Sequence, residues 1–212
     1  MAAGPRRGGE VSNPVVFVVD DDAMVARSLR WLIQSVRLDV ETYPSAAAFL
    51  AAYQPARRGC VLLDVRMPGM SGLELHQHMQ QRGWRIPVVF LTGHGDVQMA
   101  VRAIKHGAFD FVEKPFNDQD LLDRLQLAIR SDAERYAREE AIADEKSRLA
   151  SLTGREREVM QLVVDGLPNK VIADRMGLSA KTVEAHRARV MEKLKVRSVS
   201  DLVKIALRAE VP

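Results

Sequence analysis

Short apolar runs alternate with longer amphipathic stretches over the first 130 residues of the chain. The short runs are rich in β-branched residues and predict strands, whereas the stretches between them place apolar residues at helical spacing. Alternation of this kind predicts a parallel sheet with helices on both faces. Five strands in about 115 residues fit a small doubly wound α/β domain better than a barrel, which needs roughly twice that length. The predicted strands are Val15–Asp20, Leu38–Tyr43, Cys60–Asp64, Ile86–Thr92 and Phe109–Glu113, and the predicted helices are Ala23–Val36, Ala46–Tyr53, Leu73–Gln81 and Val97–Lys105.

A long polar segment, residues 117–150, follows this alternating region. It contains no proline or glycine and is dense in alanine, glutamate, arginine and leucine. Apolar residues keep helical spacing as far as Tyr136, and Asn117 with Asp120 provides a start signal. We therefore predict one helix of about thirty residues that serves as a linker. A shorter helix followed by a flexible charged tether is the alternative.

The region from Ser151 to Pro212 contains signals for four short helices. Thr153 and Glu156 have the spacing of a capping box, and Ser179 is placed to cap a later helix. A short helix, a turn containing Gly177 and a longer helix make a helix-turn-helix motif. The predicted helices run from Thr153 through Val164, from Pro168 to Gly177, from Ala180 to about Leu194 and from Ser198 to about Ala209.

The third of these helices has two chemically different faces. At about 100° per residue, Val183, Val190 and Leu194 fall on one side. The other side has small alanines flanked by long polar side chains, so it could approach a DNA major groove closely. Glu184 could accept a hydrogen bond from a cytosine amino group there, or help to exclude wrong sequences. An ordinary solvated face of a four-helix bundle is the alternative. The candidate DNA-contacting residues are Asn169, Lys170, Lys181, Thr182, Glu184, Ala185, Ala188, Arg189 and Lys193.

Polar side chains follow four of the predicted strands at their carboxyl ends: Asp20, Asp21, Asp22, Asp64, Thr92 and Lys114. Ligands of parallel sheets bind at this edge, so these side chains could converge on one site. Several carboxylates held together would repel one another unless a cation neutralised them, and oxygen ligands of this kind suit Mg²⁺. A carboxylate nucleophile, a metal ion and donors for phosphoryl oxygens are the parts that accept a phosphoryl group. For Asp64 a strand-terminating role, and for Asp22 a helix-capping role, remain alternatives.

Composition and charge limit the class of protein that these elements can form. Apolar residues make up 47% and charged residues 28% of the 212-residue chain, which is typical of a soluble globular protein. The single cysteine, Cys60, cannot form a disulfide within the chain, so a reducing cytoplasm is the expected compartment. Residues 1–13 lack the apolar core of a signal sequence and are expected to form a disordered tail. No stretch approaches the roughly 18–20 apolar residues that span a bilayer, so no membrane partner is expected.

The net charge of +3 is distributed unevenly along the chain. Residues 151–212 contain 12 Lys and Arg against 8 Asp and Glu, so this region carries +4 and the first 150 residues carry −1. Positive charge concentrated at the C-terminal end points mildly to a polyanion as its partner.

The stretches VVDDD, LLDVRMPGMSG, FLTGHGD and FDFVEKPF resemble the receiver domain of two-component response regulators, over residues 15–130. The resemblance implies a flavodoxin-like strand order and a sensor histidine kinase that phosphorylates Asp64. It implies further that Asp21 binds Mg²⁺ directly and Asp20 mainly through water, with the backbone carbonyl of Arg66 as another ligand. Thr92 is expected to follow the phosphoryl group.

The same resemblance assigns roles to the end of the predicted sheet. Phe111 would be the aromatic residue that changes rotamer with Thr92, and Lys114 would pair with the acyl phosphate. The Lys114–Pro115 bond is expected to be cis. The stretches TGHGD and EKPF resemble the FixJ branch, whose members dimerise through the fourth helix and fifth strand, here Val97–Glu113. We expect the same homodimer on phosphorylation.

The stretch LTGREREVMQLVVDGLPNKVIADRMGLSAKTVEAHRARVMEKLKVRS resembles the LuxR-type DNA-binding domain, over nearly all of residues 148–212. This implies that Ala180–Leu194 is the recognition helix and that a dimer binds a two-fold-related site on double-stranded DNA. The expected organisation is a tail (1–13), a receiver domain (14–130), a helical linker (131–150) and an all-α, four-helix DNA-binding domain (151–212).

Together these features predict a cytoplasmic transcription regulator of the FixJ/NarL type that is not an enzyme. Activation, with RNA polymerase as a further partner, is suggested by the resemblance alone. A phosphatase or phosphotransferase with Asp64 as nucleophile is one alternative, but haloacid-type phosphatases carry a second aspartate where Arg66 stands. A DNA-binding protein with a vestigial receiver is another, which the set of Asp21, Asp64, Thr92 and Lys114 disfavours.

Overall fold

The computed structural model describes residues 13–93 and 97–210, so the predicted tail lies outside the described residues except for Asn13. Within this range there are five strands and nine helices in two compact units, one ending at Tyr136 and the other beginning at Ala137. The N-terminal unit contains β1 (Val15–Val19), α1 (Ala23–Ser35), β2 (Asp39–Tyr43), α2 (Ala46–Ala52), β3 (Gly59–Asp64), α3 (Gly72–Gln81), β4 (Val88–Thr92), α4 (Val97–Lys105), β5 (Asp110–Glu113) and the first part of α5 (Asp118–Ala150). The C-terminal unit contains the rest of α5, α6 (Gly154–Val164), α7 (Asn169–Met176), α8 (Ala180–Lys193) and α9 (Val199–Glu210).

In the described part of the chain the five strands form one parallel sheet with the order β2-β1-β3-β4-β5. This is the flavodoxin-like order, so the predicted fold class of the N-terminal unit is confirmed. The interior strands β1, β3 and β4 are almost entirely buried, which explains their continuous apolar runs. The edge strand β2 is only partly buried and mixes polar with apolar residues.

Alternate side chains of the central strands enter two separate cores. Phe17 and Val19 of β1 pack on the face covered by α2, α3 and α4. Val16 and Val18 pack on the opposite face, which α1 and α5 cover. The carboxyl ends of β1 and β3 are thereby fixed side by side, with Val19 paired to Leu63.

Helix α3 begins unusually close to the end of β3. A Cβ atom at Gly72 would lie 2.1 Å from the carbonyl oxygen of Asp64, so a larger residue would force the two segments apart. The backbone N–H of Gly72 donates to the carbonyl of Val65 at 3.0 Å. This close approach fixes the path of the chain after Asp64.

Helix α5 is a single helix, as predicted, and its first half packs against the sheet. Leu121, Leu125 and Ala128 are fully buried, and Asp132 is only 3% exposed. The Asp132 carboxylate accepts a hydrogen bond from the backbone N–H of Gly59 at 3.1 Å and forms ion pairs with Arg58 and Arg135. Among the described residues, no helix, α5 included, is long and apolar enough to cross a membrane.

The observed elements differ from the predicted ones by one or two residues at several ends. The strand predicted from Ile86 begins at Val88, because Pro87 has no N–H to donate to a neighbouring strand. The helix predicted from Pro168 begins at Asn169, because Pro168 is extended, with ψ 150°, and occupies the N-cap position.

The C-terminal unit is built from the predicted helices around one core. Val159, Ile172, Val183 and Leu202 are fully buried and join α6, α7, α8 and α9. Gly177 ends α7 in the left-handed region at φ 65°, where glycine is favoured, and the Ser179 side chain caps α8 by accepting from the Thr182 N–H. The short α7, this turn and the longer α8 form the predicted helix-turn-helix.

Replacing Asp132 with alanine should destabilise the N-terminal unit. The substitution removes the Asp132 carboxylate from the Gly59 amide, Arg58 and Arg135, and we expect the free energy of unfolding to fall by about 2–4 kcal/mol. Urea unfolding followed by tryptophan fluorescence measures this, because Trp31 and Trp84 both lie in this unit. Asp123→Ala, at an exposed position of the same helix, is the control. Equal effects of the two substitutions would contradict the structural role of Asp132.

Candidate functional site

Two buried carboxylates meet one lysine at the carboxyl edge of the sheet. Asp20 follows β1 and Asp64 ends β3, and they are 2% and 8% exposed. The Nζ atom of Lys114, just after β5, lies 2.6 Å from Oδ1 of Asp64 and 3.4 Å from Oδ2 of Asp20. The predicted convergence of these three side chains therefore occurs, and the lysine offsets part of the repulsion between the carboxylates.

The local backbone orients both carboxylates. Oδ1 of Asp20 accepts from the Asp22 N–H, and Oδ2 of Asp64 accepts from the Arg66 N–H, each at 2.8 Å. Each bond spans two residues, as in an Asx turn, and points one carboxylate oxygen back toward its own loop. The other oxygen of each carboxylate faces Lys114.

Asp21 and Asp22 have different surroundings although they are adjacent. Oδ1 of Asp22 accepts from the N–H groups of Met24 and Val25, which confirms that this residue caps α1. Asp21 is exposed, and its carboxylate has no hydrogen bond to any residue that the structure describes. It lines an open depression of about 530 Å³ together with Arg66 and Met67.

The ionisation of the site reflects burial and crowding of charge. Burial raises the pKa of Asp20, the Asp22 amide and Lys114 oppose this shift, and the nearby Asp64 charge adds to it. Burial alone would lower the pKa of Lys114, but its hydrogen bond to Asp64 and the charge of both carboxylates outweigh that effect and raise it. Lys114 is therefore a permanent cation at neutral pH.

The donor set fits Mg²⁺ in its chemistry. Among the described residues no three Asp, Glu, His or Cys side chains are grouped so that together they could hold a metal ion. Mg²⁺ commonly uses one or two carboxylates and keeps several waters, so it does not require such a group. Asp20, Asp64, the exposed Asp21 and the carbonyl of Arg66 lie in the same loops at the sheet edge and could supply its oxygen ligands.

The predicted switch residues lie on β4, which is next to the strand of Asp64, and on or just after β5, which is next to β4. Thr92 ends β4 and is fully buried, and its hydroxyl lies 3.5 Å from the carbonyl of Val112 in β5. The Lys114 N–H donates to the Thr92 carbonyl at 2.7 Å, and the Lys114–Pro115 bond is cis, as expected. Phe111 is half-buried against the core on the α2, α3 and α4 face. The HGD part of the TGHGD stretch lies outside the described residues.

The second candidate surface is the outer face of α8. Val183 and Val190 are buried in the core, as the helical wheel predicts. Thr182 is partly exposed, and its hydroxyl lies 2.8 Å from that of Ser179. The exposed candidates are Lys170 at the start of α7 and, on α8, Lys181, Glu184, Ala185, Ala188 and Arg189.

Two candidate DNA-contacting side chains already bind other residues. Oδ1 of Asn169 accepts from Nη1 of Arg187 at 2.8 Å. Arg187 was absent from the predicted set, although its positive charge on α8 was a usable signal. Nζ of Lys193 lies 2.6 Å from Oε2 of Glu156 and 3.2 Å from the carbonyl of Ser151.

The carboxyl group of Glu156, in the C-terminal unit, has a pKa far below its ordinary value. The residue is 3% exposed, and its Oε2 atom accepts from Lys193 and from the Thr153 N–H of the predicted capping box. The Lys193 hydrogen bond, followed by that of the Thr153 amide, lowers the pKa of Glu156 to about 2. The capping box could be predicted from a spacing of three residues, whereas the Lys193 bond spans 37 residues and has no local signal.

Comparison with known proteins gives matches to both parts of the chain. Residues 16–126 match the response regulator receiver domain, and residues 150–206 match the bacterial regulatory proteins of the luxR family. The chain is 46% identical to the transcriptional regulatory protein TdiR of Thauera aromatica, over 91% of this chain and 85% of TdiR. It is 47% identical to the transcriptional regulatory protein FixJ of Azorhizobium caulinodans, over 92% of this chain and 93% of FixJ. The solved structure of the response regulator StyR matches with a TM-score of 0.86 and 45% identity, over 93% of this chain and 100% of StyR.

The pKa of Glu156 predicts a pH-dependent contribution to the stability of the C-terminal unit. A carboxyl group with a lowered pKa in the folded state stabilises the fold above its ordinary pKa of 4.5, and that contribution is lost as pH falls toward 2. An NMR titration of the Glu156 side-chain carbon should give a pKa near 2, and Lys193→Gln should raise it toward 4.5. Lys195→Gln is the control, because Lys195 is not among the causes of this shift. A pKa of Glu156 that Lys193→Gln leaves unchanged would contradict the ion pair.

Proposed function

Because this chain belongs to the response regulators, with an N-terminal receiver domain and a C-terminal LuxR-type DNA-binding domain, we propose that Asp64 accepts a phosphoryl group and that the DNA-binding domain responds. Membership of this family confirms the predicted class: a DNA-binding response regulator of the FixJ/NarL type that regulates transcription and is not an enzyme. The observation that carries the assignment of Asp64 is its contact with Lys114, beside a second carboxylate on the adjacent strand.

The partner that supplies the phosphoryl group is a sensor histidine kinase. A carboxylate oxygen of Asp64 attacks the phosphorus atom, the bond from phosphorus to the histidine nitrogen breaks, and the nitrogen keeps the electron pair. The product is an acyl phosphate, which adds negative charge where two carboxylates are already close together. Lys114 is in place to pair with the new phosphoryl oxygens, because it already contacts Asp64.

Mg²⁺ is the proposed cofactor of this step. Its ligands would be Asp64, Asp21, the carbonyl of Arg66 and, mainly through water, Asp20. When bound it supplies positive charge that offsets the charge of the phosphoryl group. The shared contact of Asp20 and Asp64 with Lys114 supports this proposal, because one lysine cannot neutralise two carboxylates.

The response of the protein begins at Thr92 and Phe111. The Thr92 hydroxyl turns from the Val112 carbonyl toward the phosphoryl oxygens, and the half-buried Phe111 changes rotamer with it. The outer face of α4 and β5 then forms the contact between two protomers. Val101 and Ile104 of α4 support this choice, because both are large apolar residues exposed at 44% and 38%.

Dimerisation brings two α8 helices to the two halves of a two-fold-related DNA site. Linking two binding units raises the effective concentration of the second on DNA. Lys181 and Arg189 would contact phosphates or base edges, and Ala185 and Ala188 would allow a close approach of the helix. This protein acts in the cytoplasm, and activation through contact with RNA polymerase is the expected outcome. The proposed division is a receiver at 14–130, a helical linker at 131–150 and a DNA-binding domain at 151–212.

Asp21→Asn should weaken Mg²⁺ binding at least about tenfold, since loss of a group that supports a metal site commonly costs 10- to 100-fold in affinity. Isothermal titration calorimetry measures the affinity, and Asp39→Asn, at an exposed position of β2, is the control. Equal Mg²⁺ affinity of Asp21→Asn and the unmodified protein would remove Asp21 from the ligand set.

A phosphoryl mimic should convert the protein to a dimer. With beryllium fluoride and Mg²⁺, we expect size-exclusion chromatography with light scattering to show twice the monomer mass for the wild-type protein. Asp64→Asn should remain at its starting mass under the same conditions, because it cannot hold the mimic. A wild-type protein that does not shift, or an Asp64→Asn protein that shifts equally, would refute the switch. Equal activation of transcription by Asp64→Asn would favour the vestigial-receiver alternative.

A further inference from the structure

The last turn of α5 and the last turn of α8 exchange hydrogen bonds within the C-terminal unit. Nη1 of Arg148, in α5, donates to the carbonyl of Leu194, the C-cap of α8, at 3.3 Å. Nζ of Lys193, in α8, donates to the carbonyl of Ser151, directly after α5, at 3.2 Å. Each helix therefore supplies a cation to the carboxyl end of the other.

These contacts match the chemistry of helix ends. The last carbonyls of a helix have no partner within the helix and carry partial negative charge, which a lysine or arginine side chain satisfies. Lys193 is further fixed by its 2.6 Å contact with the buried Glu156, at the start of α6. Leu149 and Leu152 add apolar contacts with the core of the unit. The end of α5 is thus held to α8 by charged hydrogen bonds and to the core of the C-terminal unit by apolar packing.

We propose that Arg148 and Lys193 are positioning residues that lock the recognition helix α8 to the end of the linker helix α5, in what we call the helix-end clasp. Because the two helix ends hold each other, a displacement or rotation of the end of α5 carries α8 with it. In a phosphorylated dimer, the clasp ties the position of each recognition helix to the end of its own linker helix. It also gives Lys193 a different role from the direct DNA contact predicted for it, since its ammonium is already engaged.

The clasp rests on the proposed binding of a dimer to a two-fold-related site. The experiment below distinguishes failure of the clasp from failure of that mode of DNA binding. The probe is a DNA site selected from a random pool by the wild-type protein with beryllium fluoride and Mg²⁺. Two further probes have one base pair inserted or deleted between the half-sites, which shifts their separation by about 3.4 Å and rotates them by about 34°. The measured quantity is the ratio of affinities for the selected and altered spacings.

Arg148→Gln is the main variant, because it leaves the buried Glu156–Lys193 pair intact. We expect the wild-type protein to discriminate strongly between spacings and Arg148→Gln to reduce that ratio at least about fivefold, the lower end of ordinary coupling between sites. Lys193→Gln should do the same, and Lys193→Arg, which keeps a cation, should restore discrimination. Lys146→Gln, at an exposed position of the same helix, is the control and should retain the wild-type ratio. A general loss of stability lowers affinity for all three spacings and leaves the ratio unchanged.

The salt dependence of binding separates positioning by Lys193 from phosphate contact. Loss of one phosphate contact lowers the slope of log affinity against log salt concentration by about 0.9. We expect Lys181→Gln to show that decrease and Lys193→Gln to keep the wild-type slope. Undiminished spacing discrimination in Arg148→Gln, or a decrease of about 0.9 in the slope for Lys193→Gln, would overturn the clasp. Wild-type protein that selects no two-fold-related site would instead refute the proposed mode of DNA binding.

Discussion

The proposed function of the N-terminal unit depends on two carboxylates that are held close together at the edge of a buried sheet. Asp20 and Asp64 end adjacent strands, and the pairing of β1 with β3 leaves them no freedom to separate. Lys114 comes from the far end of the same domain and supplies one positive charge to both. One lysine cannot neutralise two carboxylates, so the site keeps an excess of negative charge. That excess is the physical basis of the proposed divalent cation, which would also offset the negative charge that the proposed acyl phosphate adds.

The two units use a buried carboxylate in opposite ways. The Glu156 carboxylate is fully paired, because Lys193 and the Thr153 amide both donate hydrogen bonds to it and lower its pKa to about 2. Asp20 has a raised pKa because burial outweighs the partners available to it. A fully paired carboxylate stabilises a fold, whereas a buried carboxylate whose partners do not offset its burial marks a candidate functional site. This contrast separates a structural ion pair from a candidate functional site, although each contains a lysine and a carboxylate.

Local patterns in the sequence were sufficient to predict much of this structure. The alternation of apolar runs predicted the sheet and its helices, and positions at strand ends predicted Asp20, Asp64 and Lys114 at one edge. Helix caps at Thr153 and Ser179 were also correct, because capping acts over two or three residues. Contacts across long separations had no such signal. The attachment of Asp132 to Gly59 and of Lys193 to Glu156 depends on how helices pack, which the periodicity of one segment does not encode.

The most direct measurement of phosphoryl transfer to this protein identifies the residue that carries the phosphoryl group. The protein is incubated with acetyl phosphate and Mg²⁺, and the acyl phosphate is then reduced with borohydride, which converts the modified aspartate to homoserine. Mass spectrometry of the peptides locates the conversion. We predict homoserine at Asp64 and an unaltered aspartate at positions 20, 21 and 22. Conversion at Asp20 or Asp21 instead, or no Mg²⁺-dependent conversion at all, would contradict this prediction.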